Sequence, residues 1–166
     1  MTNILTTDEA ARVVGEDSTA ERLLDVLPQV DSYVNGATGH DWTADTAINP
    51  EAKAAARLYL ALTYDLMSMQ QNQIDALNRA LISSLTRLEA IATELQTIQN
   101  INSTQYVEDM RTYLESGTLG LNLIAYNRLS GRQNIAQAVL NGRPFGGYTN
   151  KATIQTALDT AVKAVM

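Results

Sequence analysis

IDALNRALISSLTRLEAIATELQTI, residues 74–98, is the stretch on which the fold class turns. Ile74, Leu81, Leu88 and Leu95 recur every seven residues, and Leu77, Ser84, Ile91 and Ile98 form a second row broken only by Ser84. Seven residues make two helical turns, so both rows fall along one seam of a long helix. The flanking positions (Asn78, Leu85, Ala92; Ala80, Arg87, Glu94) are poor in charge, unlike those of a two-stranded zipper. Either this helix packs on its own domain, or its distal half, residues 88–98, projects toward another subunit.

Working toward the N-terminus, no Gly or Pro occurs between Pro50 and Ile98. Asn49-Pro50 is a helix start, with Asn as cap and Pro in the first turn. Residues 52–69 are apolar around most of the helical circumference, as in a central buried helix, and the tract Gln70-Gln71-Asn72-Gln73 reads as a short connection. Thr6 with Glu9, and Ser18 with Glu21, are capping-box pairs that open two earlier helices. Leu23, Leu27, Val30 and Val34 form one apolar stripe, and Pro28 inside it predicts a kink or a break. The predicted core takes Leu24, Leu27, Val34, Trp42, Leu58, Leu62, Leu66, Leu81 and Leu85.

Toward the C-terminus the texture changes. Ser103 is placed to cap a helix carrying Tyr106, Met110, Tyr113 and Leu114. Ser130-Gly131-Arg132-Gln133 opens another with Ile135, Ala136, Val139 and Leu140, and Thr149 caps a last one through Ile154, Leu158 and Val162. The expectation is an all-α chain in three parts: a four-helix domain over 1–92, a helix extension or linker over 93–102, and a small helical module over 103–166.

Composition narrows the chemistry. The 166 residues carry 18 acidic and 12 basic side chains, a net charge of −6, and the pI is about 4.7. Such a chain lacks the basic face with which a general nucleic-acid binder displaces counterions. The excess is uneven: residues 1–83 hold 12 acids and 5 bases, residues 84–166 hold 6 acids and 7 bases. With no cysteine there is no disulfide, thiolate metal site or Cys nucleophile, and a single histidine makes any triad depend on His40. The N-terminus has no basic segment followed by an apolar one, and the longest apolar run is Leu58–Leu62, so the chain reads as soluble, intracellular and without a membrane span.

Four constellations invite a chemical reading. His40-Asp41 beside Trp42 suggests an acid–base pair, yet adjacent residues rarely converge on one substrate, and a loop histidine beside a core tryptophan is the simpler reading. Gly142-Arg143-Pro144-Phe145-Gly146-Gly147 lacks the spacing of a phosphate loop and reads as a turn. Asp8, Glu9, Glu16 and Asp17 lack calcium-loop spacing. Tyr106, Tyr113, Tyr126 and Tyr148 read as half-buried packing, although tyrosine is also favoured at interfaces. No catalytic, metal or cofactor-binding residue emerges.

Residues 1–92, read as an ordered series, resemble the head–tail connector (adaptor or head-completion) family of tailed phages. ILTTDEAARVVG is similar to that family's first short helix, followed by the acidic break Gly15-Glu16-Asp17. AERLLDVLPQVDSYVNGATGHDW resembles its second helix, with Tyr33, Thr38-Gly39 and Trp42 in the turn. INPEAKAAARLYLALTYDLM resembles its Pro-initiated central helix, and IDALNRALISSLTRL its closing helix, with Leu85-Thr86-Arg87. Pro28 and the extension past Leu88 depart from the pattern. The resemblance implies a structural protein without cofactor or enzymatic activity. Its subunits would form a ring, usually a dodecamer, beneath the portal protein, extending the DNA channel and docking the next neck or tail-completion protein. DNA would pass without specific binding, no membrane would be engaged, and the location would be the virion neck after assembly in the host cytoplasm. A free-standing helical adaptor binding one protein partner is the competing reading. The aliphatic stripe Leu88, Ile91, Leu95 and Ile98 outlasts the expected domain and is the candidate interface, because large aliphatics left in water each forgo about 1.5–3 kcal/mol. Its partner would be residues 103–166 folding back, a neighbouring subunit or the portal.

Overall fold

The structure, a computed structural model, describes residues 3–166 apart from the side chain of Leu66. Among the described residues it is all-helical: α1 (Thr7–Val14), α2 (Glu21–Thr38), α3 (Pro50–Tyr64), α4 (Gln71–Ser103), α5 (Val107–Glu115), α6 (Arg132–Asn141) and α7 (Lys151–Ala164), with 3-10 turns at Trp42–Ala44, Leu66–Ser68 and Tyr126–Arg128. The chain divides into two compact units, Met1–Ala92 and Thr93–Met166.

In unit 1, the capping box on α1 forms as its residues require. Thr6 Oγ1 accepts from the Glu9 amide (3.2 Å), and the Thr6 amide donates to Glu9 Oε2 (3.0 Å). Glu9 does a second job. It receives Lys53 Nζ at 2.9 and 3.0 Å and Arg57 at 3.2 Å, so one carboxylate ties the start of α1 to α3. The amide of Thr6 first, then Lys53, hold its carboxyl at about 2, well below the usual 4.5.

Helix α2 departs from expectation at its start and inside. Its N-cap is Ala20, which has no polar side chain to cap with, so the expected Ser18–Glu21 box is not the one that starts the helix; Thr19 just before it donates its amide and hydroxyl to Asp17 Oδ1 (2.8 and 2.6 Å). Pro28 neither starts nor ends the helix, which runs on to Thr38. The stripe Leu23, Leu27, Val30 and Val34 is buried on both sides of the proline, and that burial holds the two halves together. Leu24, predicted in the core, is 45% exposed, since it lies one position off that stripe. The buried Asp31 carboxylate accepts from the Ile4 amide (3.0 Å) and secures a segment whose Ile4 and Leu5 are fully covered. Burial pushes the Asp31 carboxyl above its ordinary range.

Trp42 plugs the core beyond α2. It is 0% exposed, and its indole N–H donates to Thr38 Oγ1 (2.8 Å), which in turn donates to the Val34 carbonyl (2.9 Å). On α3, Asn49 caps through the Glu51 amide (2.8 Å), with Pro50 in the first turn. The helix buries Ala52, Ala55, Ala56, Leu60, Leu62 and Tyr64, its alanines letting neighbours approach closely; Leu58 is only half-buried. The break before α4 falls at residues 65–70, a few residues earlier than the glutamine tract suggested, and Gln73 caps the new helix by accepting from the Gln70 amide (3.0 Å). In its first part α4 buries Leu81, Ser84, Leu88 and Ala92, with Leu85 half-buried. Leu66, the remaining predicted core position, lies outside the described side chains.

In unit 2, residues 93–102, expected as a helix extension or linker, are helical and continue α4, and Ile98 and Ile101 are buried with Met110 and Leu114 of α5, Leu119, Tyr126, Ile135 and Val139 of α6, Tyr148, and Ile154, Leu158 and Val162 of α7. Three caps also fall elsewhere. Ser103 ends α4 while Thr104 Oγ1 accepts from the Tyr106 amide (3.2 Å); α6 starts from Gly131 without a side-chain cap; and Asn150, not Thr149, forms the capping box on α7 with Thr153. Each displacement is of one to three residues, the ordinary scatter when several cap-forming residues are adjacent.

Two outcomes follow for unit 1. Leu62→Ala empties a buried site and is expected to cost about 2–5 kcal/mol in urea denaturation. Glu9→Gln removes a carboxylate with a depressed folded pKa, whose stabilisation is present above about 4.5 and lost as pH falls toward 2. The variant is therefore less stable at neutral pH, and thermal melts of the two proteins should converge as the pH drops through that window.

Candidate functional site

The aliphatic stripe on α4 is divided between the two cores. Leu88, in unit 1, is 0% exposed, and Ile98, 7% exposed, is packed in the core of unit 2. Ile91 and Leu95 are half-buried, so they are the two members of the expected interface that still present apolar surface. Ser84, which interrupts the seam, is buried with its hydroxyl lacking a hydrogen-bond partner. A leucine there would have completed the row.

Around His40 the structure builds a loop held by short-range contacts. Nε2 of His40 lies 3.0 Å from Asp45 Oδ1, and the ring tilts against Trp42 at 4.3 Å. Asp41 instead accepts from the Thr43 amide and hydroxyl and from Asn35 (2.6–3.1 Å). Among the described residues no group of three or more His, Cys, Asp or Glu is placed to hold a metal ion, and no helix is long and apolar enough to cross a membrane.

The more informative surface in unit 2 is the turn Gly142–Tyr148. Arg143 Nη1 donates to the carbonyls of Ile101 (2.8 Å) and Thr104 (2.9 Å), at the end of α4. A cation at that helix end also suits the negative end of the helix dipole. The Asn102 amide pairs with Tyr148 in both directions, accepting from its amide (2.7 Å) and donating to its carbonyl (2.9 Å). Gly147 makes this possible: it sits at φ +78°, and a Cβ there would come within 2.8 Å of the Asn102 side chain. Tyr148 is buried and its hydroxyl donates to the Val139 carbonyl (2.7 Å). At the apex of this fastened turn stands Phe145, fully exposed, and Tyr106, two residues from Thr104, is 72% exposed. Tyr126, by contrast, is core: its hydroxyl donates to Glu115 (2.7 Å), and burial raises its phenol above the usual range.

In unit 1 a comparable feature joins α3 to α4. Arg22 donates to the Tyr64 carbonyl (2.6 Å) and lies over the Tyr64 ring at 4.0 Å. Beside them is an open hollow of about 250 Å³, lined also by Thr63, Asp65, Met67 and Ser68, with Met67 wholly exposed. On the α2–α3 surface, Tyr33 and Tyr59 stack face to face at 3.7 Å. Phe145 was read only as part of a turn. Met67 fell within the stretch 52–69 read as a central buried helix, but α3 ends at Tyr64 and the 3-10 turn that follows leaves Met67 in solvent.

Asn102→Ala removes both bonds to the Tyr148 backbone and is expected to cost about 1–3 kcal/mol. Hydrogen exchange should rise at the Gly147 and Tyr148 amides while the amides of α1 to α3 stay as protected as before.

No family profile matches the chain. No solved structure matches it. A curated protein, gellan lyase from a Bacillus species, is 40% identical to it over 68 residues, a stretch that makes up 40% of this chain and 3% of the lyase. The chain thus spans a small fraction of that relative's length.

Proposed function

We propose that this chain is a structural assembly protein of a tailed-phage neck, one subunit of a ring beneath the portal that extends the DNA channel and joins head to tail. The observation that carries the reading is the ordered resemblance of residues 1–92 to connector proteins, over a stretch that coincides with a compact helical unit, Met1–Ala92. Two features support it. Large apolar side chains stand in solvent at Met67, Ile82, Tyr106, Ile124 and Phe145, as suits a subunit whose neighbours supply the remaining cover. Unit 1 carries 13 acids against 6 bases, and a negative channel wall would let a duplex slide rather than grip its phosphates.

A second reading, a helical module binding a single protein partner, is favoured by one observation. A 68-residue stretch shared with a protein of which it forms 3% is what a unit carried by unrelated chains would leave. The gellan lyase name assigns no reaction to this chain.

Negative-stain imaging of the purified chain, alone and mixed with the portal protein encoded beside it, tests the choice. The assembly reading expects rings, or portal particles bearing an added ring of density. A chain that stays monomeric and leaves the portal bare overturns it, and a one-to-one complex with a different protein would favour the module.

A further inference from the structure

Two large apolar side chains among the described residues stand entirely in solvent, one in each unit: Met67 at 100% and Phe145 at 112%. They differ in what lies around them. Phe145, the chain's only phenylalanine, is a knob. Its turn is held by Arg143 on the α4 carbonyls, by the two-way pairing of Asn102 with Tyr148, and by the bond from the Gly147 amide to the Pro144 carbonyl (2.9 Å). A ring presented on so constrained a backbone loses little conformational freedom when it docks. Met67 borders a hole, the open hollow of about 250 Å³ in which the exposed Arg22 guanidinium lies over the buried Tyr64 ring. That face of the ring is taken by Arg22, so the Met67 thioether and the outer face of the guanidinium are the surfaces left for an incoming aromatic ring.

Charge indicates which surface fills that hole. Unit 1 carries 13 acidic and 6 basic residues, a net −7; unit 2 carries 5 acidic and 6 basic, a net +1. Two copies of unit 1 repel each other, whereas unit 2 of another copy approaches unit 1 without that cost. We propose that Phe145 of one copy seats in the Met67–Arg22–Tyr64 hollow of the next. The contact is heterologous: each copy offers a knob from unit 2 and a hole from unit 1. Such contacts propagate from copy to copy and close into a ring when the rotation permits. The inference rests on the assembly reading and names the contact between its subunits.

The absence of cysteine makes the test clean. Ser68→Cys, in the lining of the hollow, and Gly146→Cys, beside the ring, leave Met67 and Phe145 in place; prepared as separate single variants, they are mixed in equal amounts under mild oxidation, one of them carrying a mass tag. The expected product is the mixed disulfide, formed several-fold faster than either variant dimerises alone. Equal rates in all three samples, or no cross-link, overturn the proposal. Phe145→Ser provides the second readout. The side chain is fully exposed, so circular dichroism should be unchanged, while sedimentation should show self-association weakened roughly tenfold or more, as for loss of an aromatic anchor. Unaltered sedimentation overturns the proposal. The two readings separate cleanly. Rings seen by imaging without the mixed disulfide would leave the assembly reading standing and remove this contact. The mixed disulfide in a protein that leaves the portal bare would keep the contact and remove the neck.

Discussion

One helix has to satisfy two cores. α4 buries Leu81, Ser84, Leu88 and Ala92 along the first unit, and Ile98 and Ile101 join the core of the second. The first patch falls at spacings of three and four, one stripe of an α-helix. Between the patches, Ile91 and Leu95 are covered only in part. Apolar area must be removed from water for either unit to be stable, and neither unit of this size buries a surplus. Substitutions along α4 therefore act on whichever unit owns the position, not on the helix as such.

Within each unit the apolar packing is oriented by a few polar ties that join distant parts of the sequence. Glu9 caps its own helix and receives Lys53 and Arg57 from α3; Asp31 accepts the Ile4 amide; Trp42, Thr38 and Val34 form a relay at the end of α2. In unit 2, Arg143 and Asn102 perform the equivalent service across some forty residues. Hydrophobic burial is non-directional, and bonds of this kind select one packing among several of similar area. Glu9 illustrates the economy of the arrangement. A single carboxylate closes a cap and an inter-helix ion pair, and both depend on its ionised form.

Where that directional work ends, large apolar side chains are left outside. The side chains that most often carry reactions are occupied here: His40 with Asp45, Asp41 with Thr43 and Asn35, Glu9 with its cations. Met67 and Phe145 are the converse, apolar and uncovered: Arg143 and Asn102 hold the turn of Phe145, and Met67 follows the Tyr64 carbonyl that Arg22 binds. Under the assembly reading proposed above, they are the anchors on which a neighbour docks.

The sequence alone was enough for the helical class, because capping boxes, apolar stripes and the heptad seam are local signals written at intervals of three, four and seven. It was enough for the buried stripe of α2 and for Trp42, whose size leaves few alternatives to burial. Local pattern could not say that Leu24 would be exposed, that Pro28 would be carried within a continuous helix, or which of the offered partners would cover Ile98. Those outcomes depend on which face finds a partner, and a partner thirty or more residues away leaves no mark on the local period. The same holds for the candidate surface. Leu88 and Ile98 look identical to Ile91 and Leu95 in the heptad, yet tertiary packing covers the first pair and leaves the second half-open. Phe145 was readable as a turn residue; only the bonds from Arg143 and Asn102 made that turn a fixed platform, because they join segments that the sequence keeps about forty residues apart.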